Sequence, residues 1–143
     1  MISIQETIAT PRPGPEVFAY VADFTKVAEW DPGIASARRV AGDGGVGTRY
    51  EVGATFAGRV VPMTYQVVEH VPPTRIVLRG AAATVDAVDD IGFEETEGGG
   101  TRVTYRADFT LKGPLRFLAL PMRPLFARLG RKAVGGLGKA LNS

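Results

Sequence analysis

Asp89 is the side chain whose type and position promise the most chemistry. Ile91 and Phe93 belong on the covered face of a half-buried strand, and period-2 alternation then puts Ala87 and Asp89 on that same face. An inward carboxylate is unfavourable unless it is paired, hydrated or protonated, so its pKa rises unless a cation meets it. Inside a cavity, Asp89 could orient a ligand hydroxyl or act as a general base, which makes it the candidate catalytic residue. At the sheet rim it would instead be hydrated or paired with a neighbouring arginine, and the sequence leaves both placements open. A register slip of one residue would bring Asp86 or Asp90 to the same spot. Tyr50, Tyr65 and Tyr105 fall on inward faces of other strands, and each buried phenol needs a hydrogen-bond partner. With Asp89 they could form the few polar points of a mostly apolar site; as plain core residues they would carry their hydroxyls to the sheet edge.

Composition removes several other chemistries. The chain has no cysteine, which excludes a thiol nucleophile, a thiolate metal site and a disulfide framework. His70 is the only histidine, and Ser3, Ser36 and Ser143, the only serines, lie in no G-x-S-x-G elbow. No metal and no cofactor are expected. His70 precedes Val71-Pro72-Pro73 and reads as an exposed residue at a strand end. Gly42–Gly47 spells G-x-G-x-x-G, but it leads into a strand, whereas a dinucleotide site needs the motif to open a helix whose N–H groups meet a pyrophosphate.

The elements that must position these residues follow from periodicity. Ile2, Ile4 and Ile8 alternate with polar neighbours as in a half-buried strand, which Pro11 and Pro13 stop. Pro15 suits the first turn of a short helix carrying Val17, Phe18 and Val21 on one face, and Asp23 can cap a second short helix from Phe24 to Trp30 that Asp31-Pro32-Gly33 ends. Six strands follow, at about 35–41, 47–57, 60–70, 74–81, 84–95 and 101–111. From Gly113-Pro114 a helix begins, with Leu115, Leu118, Met122, Leu125, Phe126, Leu129, Leu137 and Leu141 forming one stripe. Pro121 and Pro124 should kink or break its first half, and Gly135, Gly136 and Gly138 weaken its second. The order predicts a single α+β domain over 1–143. Its seven-stranded curved antiparallel sheet wraps a long C-terminal helix, and a pocket opens wherever the sheet does not close on the helix. Phe18, Phe56, Met63, Phe109, Leu118, Met122, Phe126 and Leu129 supply apolar wall, with the two methionines able to repack around varied shapes. Trp30 is either a lid residue or an anchor for the short helices.

The net charge of +2 is too small to imply nucleic-acid binding, but its distribution is uneven. Residues 1–111 hold all 15 acids against 10 bases, while every charged side chain from Lys112 onward is basic. Arg123, Arg128, Arg131 and Lys132 form either a solvated face or a contact with anionic lipid head groups. No segment approaches the length of a membrane span and no basic, then apolar leader opens the chain, so a cytoplasmic location is expected, as monomer or homodimer.

The stretches VADFTKVAEWDPGI, GDGGVGTRYEV, PMTYQVVEHVPPTRIVLRG and AVDDIGFEETEGGGTRVTYRADFTLKG resemble the START-like helix-grip superfamily (SRPBCC), within it the polyketide cyclase/dehydrase and lipid-transport group. The resemblance runs over almost the whole chain. It implies a deep apolar cavity between the C-terminal helix and the sheet, used by relatives to bind lipids, sterols or polyketides and by a few to transform them. The expectation is therefore a binding protein for a hydrophobic small molecule, with Phe18, Trp30, Tyr50, Phe56, Met63, Tyr65, Asp89, Tyr105, Phe109, Leu118, Met122 and Phe126 around it. Non-catalytic binding is favoured over a cyclase or dehydratase reaction, and an interaction module acting through the basic helix is the third alternative.

Overall fold

The computed structural model describes residues 1–56 and 58–143. Strand β1 (Ile2–Thr10) leads into helix α1 (Gly14–Ala22), a 3-10 turn (Phe24–Lys26) and the single-turn helix α2 (Val27–Trp30). Strands β2 (Ile34–Ala41), β3 (Arg49–Phe56), β4 (Arg59–Val71), β5 (Arg75–Ala81), β6 (Val85–Glu95) and β7 (Thr101–Leu111) follow, then a 3-10 segment (Gly113–Leu118) and helix α3 (Ala119–Leu141). The seven strands form one antiparallel sheet in the order β1-β7-β6-β5-β4-β3-β2. This is the predicted order, and the predicted strand ends are met to within two residues; position 57, placed in a strand by the sequence reading, lies outside the described residues.

Local chemistry accounts for the short helices. A proline occupies the first turn of α1, where its missing N–H would have no partner in any case, and Glu16 sits beside the positive helix start. Asp23 accepts from the Thr25 N–H at 3.2 Å to cap the 3-10 turn. The Gly42–Gly47 segment joins β2 to β3 and opens no helix. Phe18 packs edge-on against Phe93, with ring centroids 5.2 Å apart, which seats α1 on β6. His70 stands one residue before the end of β4, as expected, but it is half-buried against Phe18 at 5.5 Å, which corrects the expected exposure.

Helix α3 differs from its predicted form in two ways. The prolines do not break it. Pro121 stands in the first turn, where N–H groups need no partner, and Pro124 is carried inside the helix at the loss of the bond to the Leu120 carbonyl. The irregular segment comes earlier, as the 3-10 turns of Gly113–Leu118. Nor is the apolar stripe single: Phe126, Ala133, Val134, Leu137 and Leu141 are buried, whereas Leu118 and Leu125 are 45% and 40% exposed. Leu118 lies in the 3-10 segment before the helix, and Leu125, one residue before buried Phe126, is turned about 100° away from it.

The far end of α3 is held by β1 and its exit. The Arg12 guanidinium donates to the carbonyls of Leu141 at 2.6 Å and Ser143 at 2.9 Å, and the Thr10 hydroxyl donates to Leu141 O at 3.2 Å. These donors meet carbonyls left free at a helix C-terminus, and the cation suits the negative end of the helix dipole. Close packing does the rest. A β-carbon on Gly136 would lie 1.8 Å from the Trp30 carbonyl oxygen, so glycine alone lets α3 settle onto α2; one on Gly130 would meet Ile4 of β1 at 2.6 Å. Gly135 faces open space.

Two neighbouring glycines should thus respond oppositely to alanine. Gly136→Ala is expected to destabilise the fold by about 2 kcal/mol or more, because the helix must lift off Trp30. Gly135→Ala should stabilise it by roughly 0.5–1 kcal/mol through helix propensity alone. Equal effects in denaturant titration would remove the close approach as the reason for the glycine.

Candidate functional site

Two apolar clusters hold the molecule together. The larger is built from the strands, α1, α2 and the C-terminal half of α3, with Val17, Val67, Ile76, Leu78, Ile91, Val103 and Leu137 completely or almost completely buried. The smaller, under the N-terminal half of α3, consists of Ile2, Ile4, Leu111 and Phe126, flanked by Phe56, Phe109, Leu115 and Met122. Phe126 meets Phe109 at 4.8 Å and Phe56 at 5.6 Å. A pocket of about 140 Å³ takes its wall from both clusters: Phe56, Met63, Phe109, Met122, Phe126 and Leu129 are among its apolar residues, and Asp31, Tyr65, Asp89 and Tyr105 are its titratable ones. Among the described lining residues there is no lysine, arginine or histidine.

Register places the polar group. On β6, Ala87, Asp89, Ile91 and Phe93 are all buried, and Asp89 is only 4% exposed. Asp86 and Asp90 point the other way, to Lys112 at 3.0 Å and Arg75 at 2.7 Å. The rim placement with an arginine partner is therefore corrected for Asp89 itself: the strand alternates, and its exposed carboxylates take the cations. Asp89 lies opposite Ala107 on β7, which makes Tyr105 its diagonal neighbour, within reach of a long side chain. The Tyr105 hydroxyl donates to Asp89 Oδ2.

Burial pushes the Asp89 carboxyl up to about 7; the Tyr105 hydrogen bond opposes this, and the charges of Asp31 and Asp108 add to it. Asp31, half-buried beyond the end of α2, is pushed up to about 6 by burial, against the effect of the Gly33 N–H that donates to its Oδ1 at 2.8 Å. Tyr105 and Tyr65 are both raised well above the ordinary phenol range, by burial first and then by the charge of Asp89. Near neutral pH the group can thus hold or release a proton at Asp89 while both phenols stay protonated. That suits hydrogen bonding to a ligand, and it also suits proton exchange with one.

The structure brings together eight of the twelve residues expected around a ligand: Phe56, Met63, Tyr65, Asp89, Tyr105, Phe109, Met122 and Phe126. Phe18 and Tyr50 do not join them; they border a separate surface depression with His70, because α1 and the 3-10 turn cover that end of the sheet. Trp30 is 2% exposed and packs edge-on to Tyr105 at 6.0 Å, so it is an anchor under α3 and no lid. Among the described residues its buried Nε1 has no acceptor. Leu118 faces outward from the 3-10 segment and does not line the pocket. Asp31 was missed: Asp-Pro-Gly reads as a turn, and the turn is there, with the carboxyl also reaching the pocket. Only its position directly after Trp30, a residue singled out for the entrance, could have pointed to it.

A family profile described as polyketide cyclase/dehydrase and lipid transport matches residues 1–142, and the chain belongs to that family. Among solved structures it resembles TTHA0849 from Thermus thermophilus, 22% identical with a TM-score of 0.78 over 97% of this chain and 93% of that one. It also resembles a START superfamily protein from Mycobacterium smegmatis, 14% identical, TM-score 0.75, with coverage of 97% and 93%. A third is the Zhui aromatase/cyclase of a Streptomyces species, 15% identical, TM-score 0.71, with coverage of 94% and 92%. These likenesses establish the helix-grip fold. No curated protein matches the sequence significantly.

A carboxyl whose native pKa exceeds its unfolded value binds a proton in the fold that the unfolded chain has already lost. Stability therefore falls as pH rises from about 4 to about 7. Asp89→Asn keeps an acceptor for Tyr105 and removes the titration. It is expected to raise Tm by several degrees at pH 8 and to leave it nearly unchanged near pH 4, equivalent to roughly 3 kcal/mol less loss across the range. The same shift at both pH values would show that Asp89 is not buried as a titrating acid.

Proposed function

We propose that this protein binds a hydrophobic small molecule in the pocket between α3 and the sheet. One observation carries the reading: an apolar hollow whose titratable lining groups, among the described residues, are two carboxyls and two phenols. Membership of a family whose description includes lipid transport supports it. A cavity of about 150 Å³ lined by aliphatic and aromatic side chains takes up benzene, so a hollow of about 140 Å³ holds about one aromatic ring as it stands. Larger guests require Met63 and Met122 to repack, which their unbranched thioether chains allow. The polar end has acceptors and no cation. It suits a ligand ending in a hydroxyl or an amine and disfavours a carboxylic acid, which would add a third carboxyl where two already resist ionisation.

Displacement of the neutral fluorophore N-phenyl-1-naphthylamine tests this with phenylalkyl alcohols, amines and acids of equal length. The alcohol and amine should displace it at least about tenfold more strongly than the acid at pH 8. Ala107→Leu, which fills space opposite Asp89, should weaken all of them while the fold survives. Preference for the acid, or no uptake of any of them, overturns the reading.

The hydrogen bond from Tyr105 to Asp89 favours a second reading, an acid-base enzyme of the cyclase or dehydratase type. The family description and the aromatase/cyclase neighbour support it. With a cyclisable polycarbonyl substrate, Asp89→Asn should then abolish turnover and keep affinity; unchanged turnover removes Asp89 from any mechanism.

A further inference from the structure

The segment that roofs the pocket also exposes the largest apolar side chains of the surface. Phe117 is 75% and Leu120 71% exposed, with Leu118 and Leu125 beside them at 45% and 40%. Exposed leucines scattered singly need no explanation, but four large apolar residues within nine positions do. Every charged side chain in this stretch of the sequence is basic. The Arg116 guanidinium lies 4.7 Å from the centre of the Phe117 ring. Leu120, Arg128 and Arg131 recur at i, i+8 and i+11, and Leu125, Arg128 and Lys132 at i, i+3 and i+7, which puts apolar and basic side chains on one outward face of α3. Among the described residues, no basic side chain from Arg116 to Lys139 pairs with a carboxylate, whereas Lys112, Arg75, Arg38 and Arg12 all do. No acidic residue follows Asp108 in the chain.

We infer that Phe117, Leu118, Leu120 and Leu125, with the surrounding arginines and Lys132, form a docking surface for an anionic lipid bilayer. Charge complementarity selects this occupant. A second copy of the same face would set one cluster of unpaired cations against another, while an anionic leaflet attracts each of them and takes the apolar side chains into its interfacial region. No helix of the described structure is long and apolar enough to cross a membrane, so the contact is peripheral. Leu115, Met122 and Phe126 of the same segment line the pocket, which places the docking surface on the outside of the pocket wall. The docking itself does not depend on what the pocket holds.

The test is co-sedimentation with vesicles of phosphatidylcholine alone and with about one third phosphatidylglycerol added. Binding should require the anionic lipid and weaken steeply between about 0.05 and about 0.5 M salt. Phe117→Ser with Leu120→Ser, both exposed and therefore compatible with folding, should reduce binding about tenfold, as should Arg128→Gln with Arg131→Gln. In Phe117→Trp the added indole emission should shift to the blue on anionic vesicles only. Failure of the parent protein to sediment with anionic vesicles at low salt overturns the inference. So does an emission from the Phe117→Trp variant that anionic vesicles leave unshifted, or light scattering that shows a dimer which Phe117→Ser and Leu120→Ser dissolve.

Discussion

A helix approaches its neighbours only as closely as the side chains between them allow, and α3 meets its neighbours through different residues along its length. At Gly136 nothing separates the helix from the Trp30 carbonyl, and at Gly130 nothing separates it from Ile4. Arg12 and Thr10 then hold the end of the helix by its free carbonyls. Toward the start of α3 the contacts are made by Phe126, Met122 and Leu115, standing over Phe56 and Phe109. The C-terminal half of α3 packs into the larger cluster and its start into the smaller, and the pocket takes its wall from both.

The polar end of that pocket is tolerated because several weak arrangements coincide. Alternation on β6 sends two carboxylates out to Lys112 and Arg75 and a third inward. The inward one receives the Tyr105 hydroxyl from the next strand and, among the described residues, no cation. Burial therefore raises its pKa to near neutrality, and the charge of Asp31 adds to the shift. A structural ion pair would have brought an arginine to the same place. Two carboxyls and two phenols without one form a group that accepts hydrogen bonds and exchanges protons, which links the packing of the sheet to the chemistry proposed for the pocket.

Helix α3 thus serves three surroundings at once. One face closes the core, one end roofs the pocket, and the outward face joins leucines to unpaired cations. Its prolines fit this division. They stand toward the start of α3, where Pro121 needs no backbone partner, and the half that packs on Trp30 has none.

Much of this was legible in the residues themselves. The order of elements, the antiparallel pairing of neighbours and the inward face of β6 follow from alternation, turn residues and the helical period, because each depends on side chains close in sequence. The inward side of Asp89 follows from Ile91 and Phe93 alone. Pocket membership is different in kind. Tyr50 has the same inward strand pattern as Tyr65, yet only Tyr65 lines the hollow, and Phe18, on the buried face of α1, packs on Phe93 and His70 away from it. Asp31 looks like a turn residue and is one, and only the approach of β6 and β7 makes it part of the site. Leu118 and Leu125 match the spacing of the buried stripe to within one step of a helix, yet both are exposed, Leu118 because a 3-10 segment stands where the helix was expected to begin. Periodicity is written into neighbouring residues, whereas coverage, depth and charge environment arise from segments a hundred residues apart, and those only the folded chain brings together.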